Sequence, residues 1–307
     1  MIKMDNPITY EINEHAYVVK YQSPSRKFGN LREELNNDAK LIGEKYGKVY
    51  VAFSSGVDSQ VILRCFMDMK VDFEPFFIHV KGRNDFEKTV VELSEKFYGI
   101  KIKILEIQLE EHRDEWQARS IAENFPTLVH YPFELASKML PENYPMIMSG
   151  ANEPSILGNR TIGLYIYHNY HESLRLRFNL INKHRTILDF PYSAESLASY
   201  YCDDLIKTWG DVCNYYITND LVVSGTQQPM VPGSRFNYYL KGLLKGKYFK
   251  RDILWPSKKS GYENYPNWMV PHWTYPKEAH ISADYNDVVQ HLESCSGSIK
   301  EFKDWIF

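Results

Sequence analysis

The sequence predicts an α/β fold built on a doubly wound parallel sheet, with a short N-terminal β arm and a mainly helical C-terminal cap. Apolar, β-rich runs alternate with amphipathic stretches of about 12–15 residues from residue 30 to residue 155, as in parallel sheets with crossover helices. After residue 155 the alternation loosens, and the segment from Pro232 is rich in aromatic residues, proline and lysine. These changes predict three parts, 1–29, 30–230 and 231–307.

Five segments are predicted strands, because they are rich in β-branched and aromatic residues and end at turn-forming residues. The first partly alternates between polar and apolar residues and is predicted as one strand or a short hairpin. The last runs into a glycine-containing turn. The predicted strands are 8–21, 48–54, 73–80, 100–107 and 144–155.

The segments between and after these strands carry apolar residues at helical spacing. Gly47 and Gly99 are predicted to end two of the helices, and Ser193 to cap the last one. The third helix has an apolar stripe in register, the pattern of an amphipathic helix, at Phe86, Val90, Leu93 and Phe97. The predicted helices are 30–47, 58–69, 85–99, 110–124, 136–140 and 193–210.

Composition and cysteine spacing exclude several classes of protein. The formal net charge of −3 does not indicate a general affinity for nucleic acid, although nucleic acid as a partner stays open. No run approaches the roughly 18–20 apolar residues of a membrane span, and the first residues lack the apolar core of a secretory signal. The cysteines form no CxxC pair, so neither a disulfide framework nor a structural zinc site is predicted. They are Cys65, Cys202, Cys213 and Cys295. We expect a cytoplasmic protein with reduced thiols and no membrane partner.

The stretch "FSSGVDSQV" joins a predicted strand to a predicted helix through small residues. Such a turn brings backbone N–H groups and a helix N-terminus to the carboxyl edge of the sheet, which is an anion site suited to phosphate. The serine hydroxyls add donors, and a carboxylate there either caps the helix or holds a divalent metal. The stretch is neither a GxxxxGK[ST] nor a GxGxxG motif. The candidate binding residues are Ser54, Ser55, Gly56, Val57, Asp58 and Ser59.

This stretch resembles the SGGxDS PP-loop of the ATP pyrophosphatase superfamily, and the order of strands and helices over residues 30–155 also fits that family. Ser55 departs from the pattern, because it stands at the first glycine of the motif. A serine there is strained if the position requires a positive φ. Members of the family split ATP into AMP and pyrophosphate, attaching AMP to a substrate oxygen for displacement by a nucleophile.

The resemblance implies ATP and Mg²⁺ as cofactors. By that resemblance residues 54–59 bind the pyrophosphate end of ATP, with Asp58 also on Mg²⁺. The end of the strand 73–80, at Ile78, His79 and Val80, would frame the adenine with its backbone.

The turn 149–153 resembles the SGxGADE stretch of the asparagine-synthetase branch of the family. By that resemblance Gly150 contacts the nucleotide and Glu153 is a second metal ligand. Asn152 departs from the pattern, so Glu153 is the acid that remains, and a surface role for it stays open.

Transfer of a phosphoryl group requires positive charge where negative charge develops. Lys81 and Arg83 follow the strand 73–80 and are candidates for that role, and Arg160 follows the turn 149–153. Basic residues of the tail either close over the nucleotide or form a solvated helical face. They are Arg235, Lys241, Lys245 and Lys247.

The resemblance predicts an AMP-forming ligase acting on a small-molecule or nucleobase substrate. The nucleophile is free ammonia, a substrate amine, or ammonia from a partner protein, because the chain begins Met1-Ile2 without the N-terminal cysteine of a glutaminase. Three alternatives stay open: a sulfonucleotide reductase, which predicts a role for Cys295; a tRNA- or nucleobase-modifying PP-loop enzyme; and a non-catalytic ATP-sensing module. The sequence predicts neither the acceptor nor the oligomeric state.

Overall fold

The computed structural model describes residues 7–12, 16–122, 128, 131–149, 155–159, 163–169, 185–208, 243–250, 252–254, 266–269 and 280–305. The strands are β1 (Ile8–Ile12), β2 (Ala16–Gln22), β3 (Val49–Ala52), β4 (Phe73–Val80), β5 (Lys103–Ile107), β6 (Met146–Ser149), β7 (Ser155–Asn159), β8 (Gly163–Asn169), β9 (Ile187–Phe190), β10 (His280–Asp284) and β11 (Ile299–Trp305). The α-helices are α1 (Leu31–Tyr46), α2 (Val57–Asp68), α3 (Asp85–Tyr98), α4 (Arg113–Ala122), α5 (Tyr131–Met139), α6 (Ala194–Tyr201) and α7 (Tyr285–Glu293). Residues 204–208 and 243–249 are also helical.

A five-stranded parallel sheet with the order β5-β4-β3-β6-β9 forms the centre of the protein. This arrangement confirms the predicted α/β fold and its parallel sheet. The edge strand β9 lies in a region whose pattern predicted no strand. Its four residues are all buried, so it is a short apolar run without the alternation that marks a half-exposed strand.

Helices cover both faces of this sheet, because successive side chains of a strand point to opposite sides. Val49 and Val51 of β3 pack in one core cluster with α1, α2 and α6, whereas Tyr50 packs with α5 on the other face. β4 divides in the same way, with Phe76 beside α5 and Phe77 beside α2 and α3. The sheet is therefore buried on both sides.

The predicted arm and the predicted cap share one antiparallel sheet. β1 pairs with β2 as the predicted hairpin, and β11 pairs with the other edge of β2 along its whole length. A second sheet joins β10 to β8 and β7. The described part of the predicted cap thus contains two strands, β10 and β11, besides its helices. Of these, β11 covers an edge of β2 that would otherwise be exposed.

Helix boundaries follow the predicted capping residues. Gly47 and Gly99 follow the last residues of α1 and α3 with φ of 71° and 66°, and the Ser193 hydroxyl accepts the Ser196 N–H at 3.1 Å at the start of α6. The predicted helix 193–210 is interrupted at Cys202 and Asp203. There the Asp203 carboxylate accepts the Leu205 N–H at 2.9 Å.

α3 is amphipathic as predicted, but the predicted apolar stripe is not its buried face. Phe86, Leu93 and Phe97 are 44%, 53% and 46% exposed. The face that packs against α2 and β4 carries Val91 and Tyr98, together with the buried polar residues Glu87 and Ser94. Apolar periodicity therefore predicted the helix correctly and its orientation incorrectly.

Alanine substitutions on the two faces of α3 should separate them. We expect Val91→Ala to lower the free energy of unfolding by about 2 kcal/mol, because it leaves a cavity in the core. Leu93→Ala should change it by less than about 0.5 kcal/mol, because Leu93 is half exposed. Urea denaturation of both variants checks this expectation, and a larger loss for Leu93→Ala would place the other face in the core.

Asp38 links α1 to the segment that follows β9. Its side chain is fully buried, and its Oδ2 accepts the Tyr192 N–H at 2.7 Å. Burial raises the pKa of Asp38 to about 6, while hydrogen bonds from Ser193, Ser196 and Tyr192 oppose the rise. The folded state therefore binds the proton of Asp38 more tightly than the unfolded chain does.

This raised pKa gives a defined dependence of stability on pH. The contribution of Asp38 is present below its unfolded pKa of about 4 and is lost as the pH rises through about 6, because the folded state binds the proton more tightly. Asp38→Asn stays neutral throughout. We expect the unfolding free energy of the wild type, minus that of Asp38→Asn, to fall by about 2 kcal/mol between pH 4 and pH 7. Chemical denaturation at four pH values measures this difference, and parallel profiles for the two proteins would contradict it.

Candidate functional site

The loop between β3 and α2 lies at the point where the strand order reverses. β3 is the middle strand; the chain runs from β3 to β4 on one side and later returns from β5 to β6 on the other side. In open α/β sheets such a point forms a crevice at the carboxyl ends of the strands, where ligands bind. The loop that resembles the PP-loop therefore lies where this fold places its ligands.

The N-cap residue of α2 is a glycine. Phe53 N–H donates to Phe76 O at 2.8 Å at the end of β3, and Gly56 then occupies the N-cap position without a side-chain cap. Because no N-cap side chain lies over the first turn of α2, the positive end of the helix dipole favours an anion there. This geometry suits a phosphate group.

Ser55, at the position of the first glycine of the motif, has a left-handed backbone conformation. Its φ is 59°, so the condition under which a serine is strained there is met, because its Cβ is unfavourable at a positive φ. The side chain is fully buried, and in the described part of the chain its hydroxyl has no hydrogen-bond partner. Ser55 is therefore a strained residue in the middle of the candidate site.

Ser59, in the first turn of α2, forms side-chain hydrogen bonds with the backbone of the loop. Its hydroxyl donates to the Gly56 carbonyl at 2.9 Å and accepts the Ser54 N–H at 3.2 Å. Ser59 is fully buried, whereas Ser54 is exposed. The two serines thus differ in role, with Ser59 shaping the loop and Ser54 lying at its open side.

Gln60 was not among the predicted site residues, although it organises the loop. Its Nε2 donates to the Ser55 carbonyl at 2.9 Å, and its Oε1 accepts the Tyr98 hydroxyl at 2.8 Å and the Leu254 N–H at 2.6 Å. A polar residue beside Val61 on the buried face of a predicted helix was the available signal, because a buried carboxamide needs hydrogen-bond partners.

Lys245 forms an ion pair with Asp58. Its Nζ donates to Asp58 Oδ1; the lysine side chain is 3% exposed and the aspartate 43%. A buried ammonium requires such a partner. This burial excludes the alternative in which Lys245 lies on a solvated helical face. Lys245, from the predicted cap, instead lies against loop 54–59. Lys247 instead contacts Asp203 at 2.9 Å, while Arg235 and Lys241 lie outside the described residues.

The other predicted residues near β4 lie at the same edge of the sheet. Lys81 is exposed, and Arg83 lies 3.8 Å from the Glu110 carboxylate. The buried His79 ring lies between two carboxylates, with Nε2 2.6 Å from Asp85 Oδ1 and Nδ1 3.3 Å from Glu106. This imidazole lowers the pKa of the Asp85 carboxyl. The predicted residues Gly150, Glu153 and Arg160 lie outside the described residues.

Asp58 suits the implied Mg²⁺ as a single protein ligand. Mg²⁺ commonly takes one or two carboxylates and fills its other positions with phosphate oxygens and water. Within the described ranges no group of three or more His, Cys, Asp or Glu residues could hold a metal ion. Of the described residues Asp58 is the predicted metal ligand, so phosphate oxygens and water would complete the coordination of a metal there.

Two of the cysteines are unsuited to thiolate chemistry. Burial raises the pKa of Cys65 well above its ordinary value and that of Cys202 to about 12. A thiol with a raised pKa is a poor nucleophile near neutral pH. Neither residue supports the sulfur-handling alternative.

None of the helices in the described ranges combines the length and the apolar composition that a membrane span requires.

Comparison with known proteins assigns no family. No protein-family model matches the chain, and no curated protein matches it. Among the solved structures that match is one described as a "predicted subunit of tRNA methyltransferase" from Methanocaldococcus jannaschii. The two chains are 19% identical with a TM-score of 0.27, and the match covers 49% of this chain and 73% of the other. This likeness assigns no activity, so the function has to be argued from the site itself.

Two substitutions of Ser55 should reveal its strain. At an ordinary position glycine is about 0.5–1 kcal/mol less favourable than alanine. At a φ of 59° we expect the reverse, with Ser55→Gly about 1 kcal/mol more stable than Ser55→Ala, because alanine keeps the unfavourable Cβ. Urea denaturation of both variants measures the difference, and a more stable alanine variant would show that the loop is not strained in solution.

Proposed function

We propose that the chain binds ATP through loop 54–59 and splits it between the α- and β-phosphates, transferring AMP to an oxygen of a small-molecule or nucleobase substrate. Ammonia or an amine then displaces the AMP. The observation that carries this proposal is the N-terminus of α2, with a glycine at its N-cap, at the switch point of the sheet, with a buried lysine beside it. Together they form a preorganised site for a polyphosphate.

Each charged group has a role in this proposal. The α2 N-terminus and the Ser54 hydroxyl bind pyrophosphate oxygens, and Asp58 holds Mg²⁺. When bound, the metal supplies positive charge that neutralises the pyrophosphate. Lys245, whose charge Asp58 balances, donates to a phosphate oxygen once the metal has engaged Asp58. Lys81 and Arg83 add positive charge at the same edge of the sheet.

A second candidate function is ATP binding without turnover. The ion pair of Lys245 with Asp58 favours it, because the carboxylate that would hold the metal is already neutralised by a cation of the same chain. In this case Lys245 takes the place of the metal, and the loop binds the phosphates without activating them. The two candidates differ in their products rather than in the residues they use.

Product analysis with α-³²P-ATP tests the first candidate. The purified chain is incubated with Mg²⁺, with and without a metabolite extract, and we expect extract-dependent AMP with an equal amount of pyrophosphate. Asp58→Asn should abolish AMP formation, because an amide is a poor Mg²⁺ ligand beside phosphates. ADP as the product would overturn the proposal, and tight ATP binding without AMP would leave the second candidate.

Substitution of Lys245 tests the phosphate contact, with a control in the same helix. Lys245→Met should weaken ATP binding by about 10- to 100-fold, because a charge-assisted hydrogen bond to phosphate is lost. Lys247→Met is the matched control, since Lys247 pairs with Asp203 instead of Asp58. Isothermal titration gives both affinities, and equal effects of the two variants would remove Lys245 from the site.

A further inference from the structure

One side of α3 carries a row of apolar residues that the core does not use. Phe86, Leu93 and Phe97 are about half exposed, and Val90 between them is partly exposed. Among the residues that the structure describes, none of these four belongs to a hydrophobic core cluster. Single exposed apolar side chains are common, whereas a contiguous row of them marks a surface that binds another protein. We call these four residues the α3 stripe.

The α3 stripe has the same pattern when it is read from either end. Its positions are separated by 4, 3 and 4 residues, the spacing of the seam between two packed helices. The two outer residues are phenylalanines and the two inner ones are aliphatic. An antiparallel second α3 therefore places Phe86 opposite Phe97 of the other copy, and Val90 opposite Leu93. A two-fold interface requires such a self-complementary surface, because it brings one patch into contact with itself.

The charges at the two ends of α3 also favour an antiparallel pair. The exposed Asp85 lies in the first turn of the helix, and the exposed Lys96 lies in its last turn. Antiparallel packing brings the N-terminus of each helix to the C-terminus of the other, so Asp85 of one copy lies near Lys96 of the second copy at both ends. The helix dipoles are opposed in the same way. A parallel pair would instead place like charges side by side.

We propose that two copies of this chain associate through the α3 stripe as an antiparallel, two-fold pair. Three half-exposed side chains of this size offer roughly 300 Å² of apolar surface per chain, so the pair buries less than the roughly 1,200 Å² of a stable complex. The dimer is accordingly a weak one, with a Kd between about 10 and 300 µM. The inference is independent of the proposed function, because the α3 stripe contains none of the candidate site residues.

Sedimentation equilibrium of the full chain, from about 5 to about 500 µM, tests the association. We expect the average mass of the wild type to rise from that of one chain toward that of two. Leu93→Glu should raise the Kd at least about 10-fold, because each copy then places a carboxylate in the apolar seam. Leu41→Glu is the matched control, since Leu41 is a leucine of α1 that is 46% exposed, and its Kd should equal that of the wild type. A wild type that stays monomeric over the whole range would overturn the inference, as would equal effects of the two variants.

Cysteine pairing tests the antiparallel arrangement. Phe86→Cys mixed with Phe97→Cys should form a disulfide between the two variants under a mild oxidant, because these positions lie opposite each other. Either variant alone should not exceed the cross-linking of the wild type, because two copies of position 86 are about 16 Å apart along the helix axis, too far for a disulfide. The wild type under the same oxidant gives the background from the native cysteines. Cross-linking of each variant with itself would show a parallel pair and overturn the proposed arrangement.

Discussion

The hydrogen bonds of the Gln60 side chain are the constraint on which the candidate site depends. Its amide holds the Ser55 carbonyl, and its oxygen is held by Tyr98 of α3 and by the backbone of Leu254. The loop, a neighbouring helix and a segment close to the C-terminus thus meet at one buried carboxamide. Since a left-handed serine is unfavourable by about 1–2 kcal/mol, the loop keeps its shape because these contacts oppose relaxation. The same contacts hold Leu254, in the predicted cap, beside the loop.

The second constraint is the charge of Lys245. An ammonium that is 3% exposed is unfavourable unless a carboxylate and further hydrogen bonds compensate its desolvation. Asp58 provides that compensation from the exposed side of the loop, and Lys245 forms further contacts as well. A phosphate anion would serve the same purpose for the lysine. The pairing with Asp58 explains how a residue far from the motif in sequence becomes part of the candidate site, and in the proposed function an external anion competes with that carboxylate.

The fold and the loop could be predicted from local sequence, whereas the contacts between distant segments could not. Both ends of β4 were predicted correctly, as was the end of α3 at Gly99. Such boundaries depend on the residue types of a few neighbouring positions. The strand β9 and the pairing of β11 with β2 depend on burial and on edges that only the assembled sheet defines. Arg185, from a segment notable for its basic residues, donates to the carbonyls of Leu140 and Tyr144 at the end of α5. Charge density alone does not distinguish this structural role from phosphate binding.

The ion pair at the loop has a consequence for the proposed function. An ammonium neutralises the carboxylate proposed to hold the metal. A protein that must first break internal contacts binds its ligand less tightly, by the fraction of molecules in the open state. Asp58 is 43% exposed and Lys245 only 3%, so the carboxylate is the more accessible partner of the pair. In the proposed function the ligand therefore competes with this ion pair, and Lys245 binds a phosphate oxygen only where that competition succeeds.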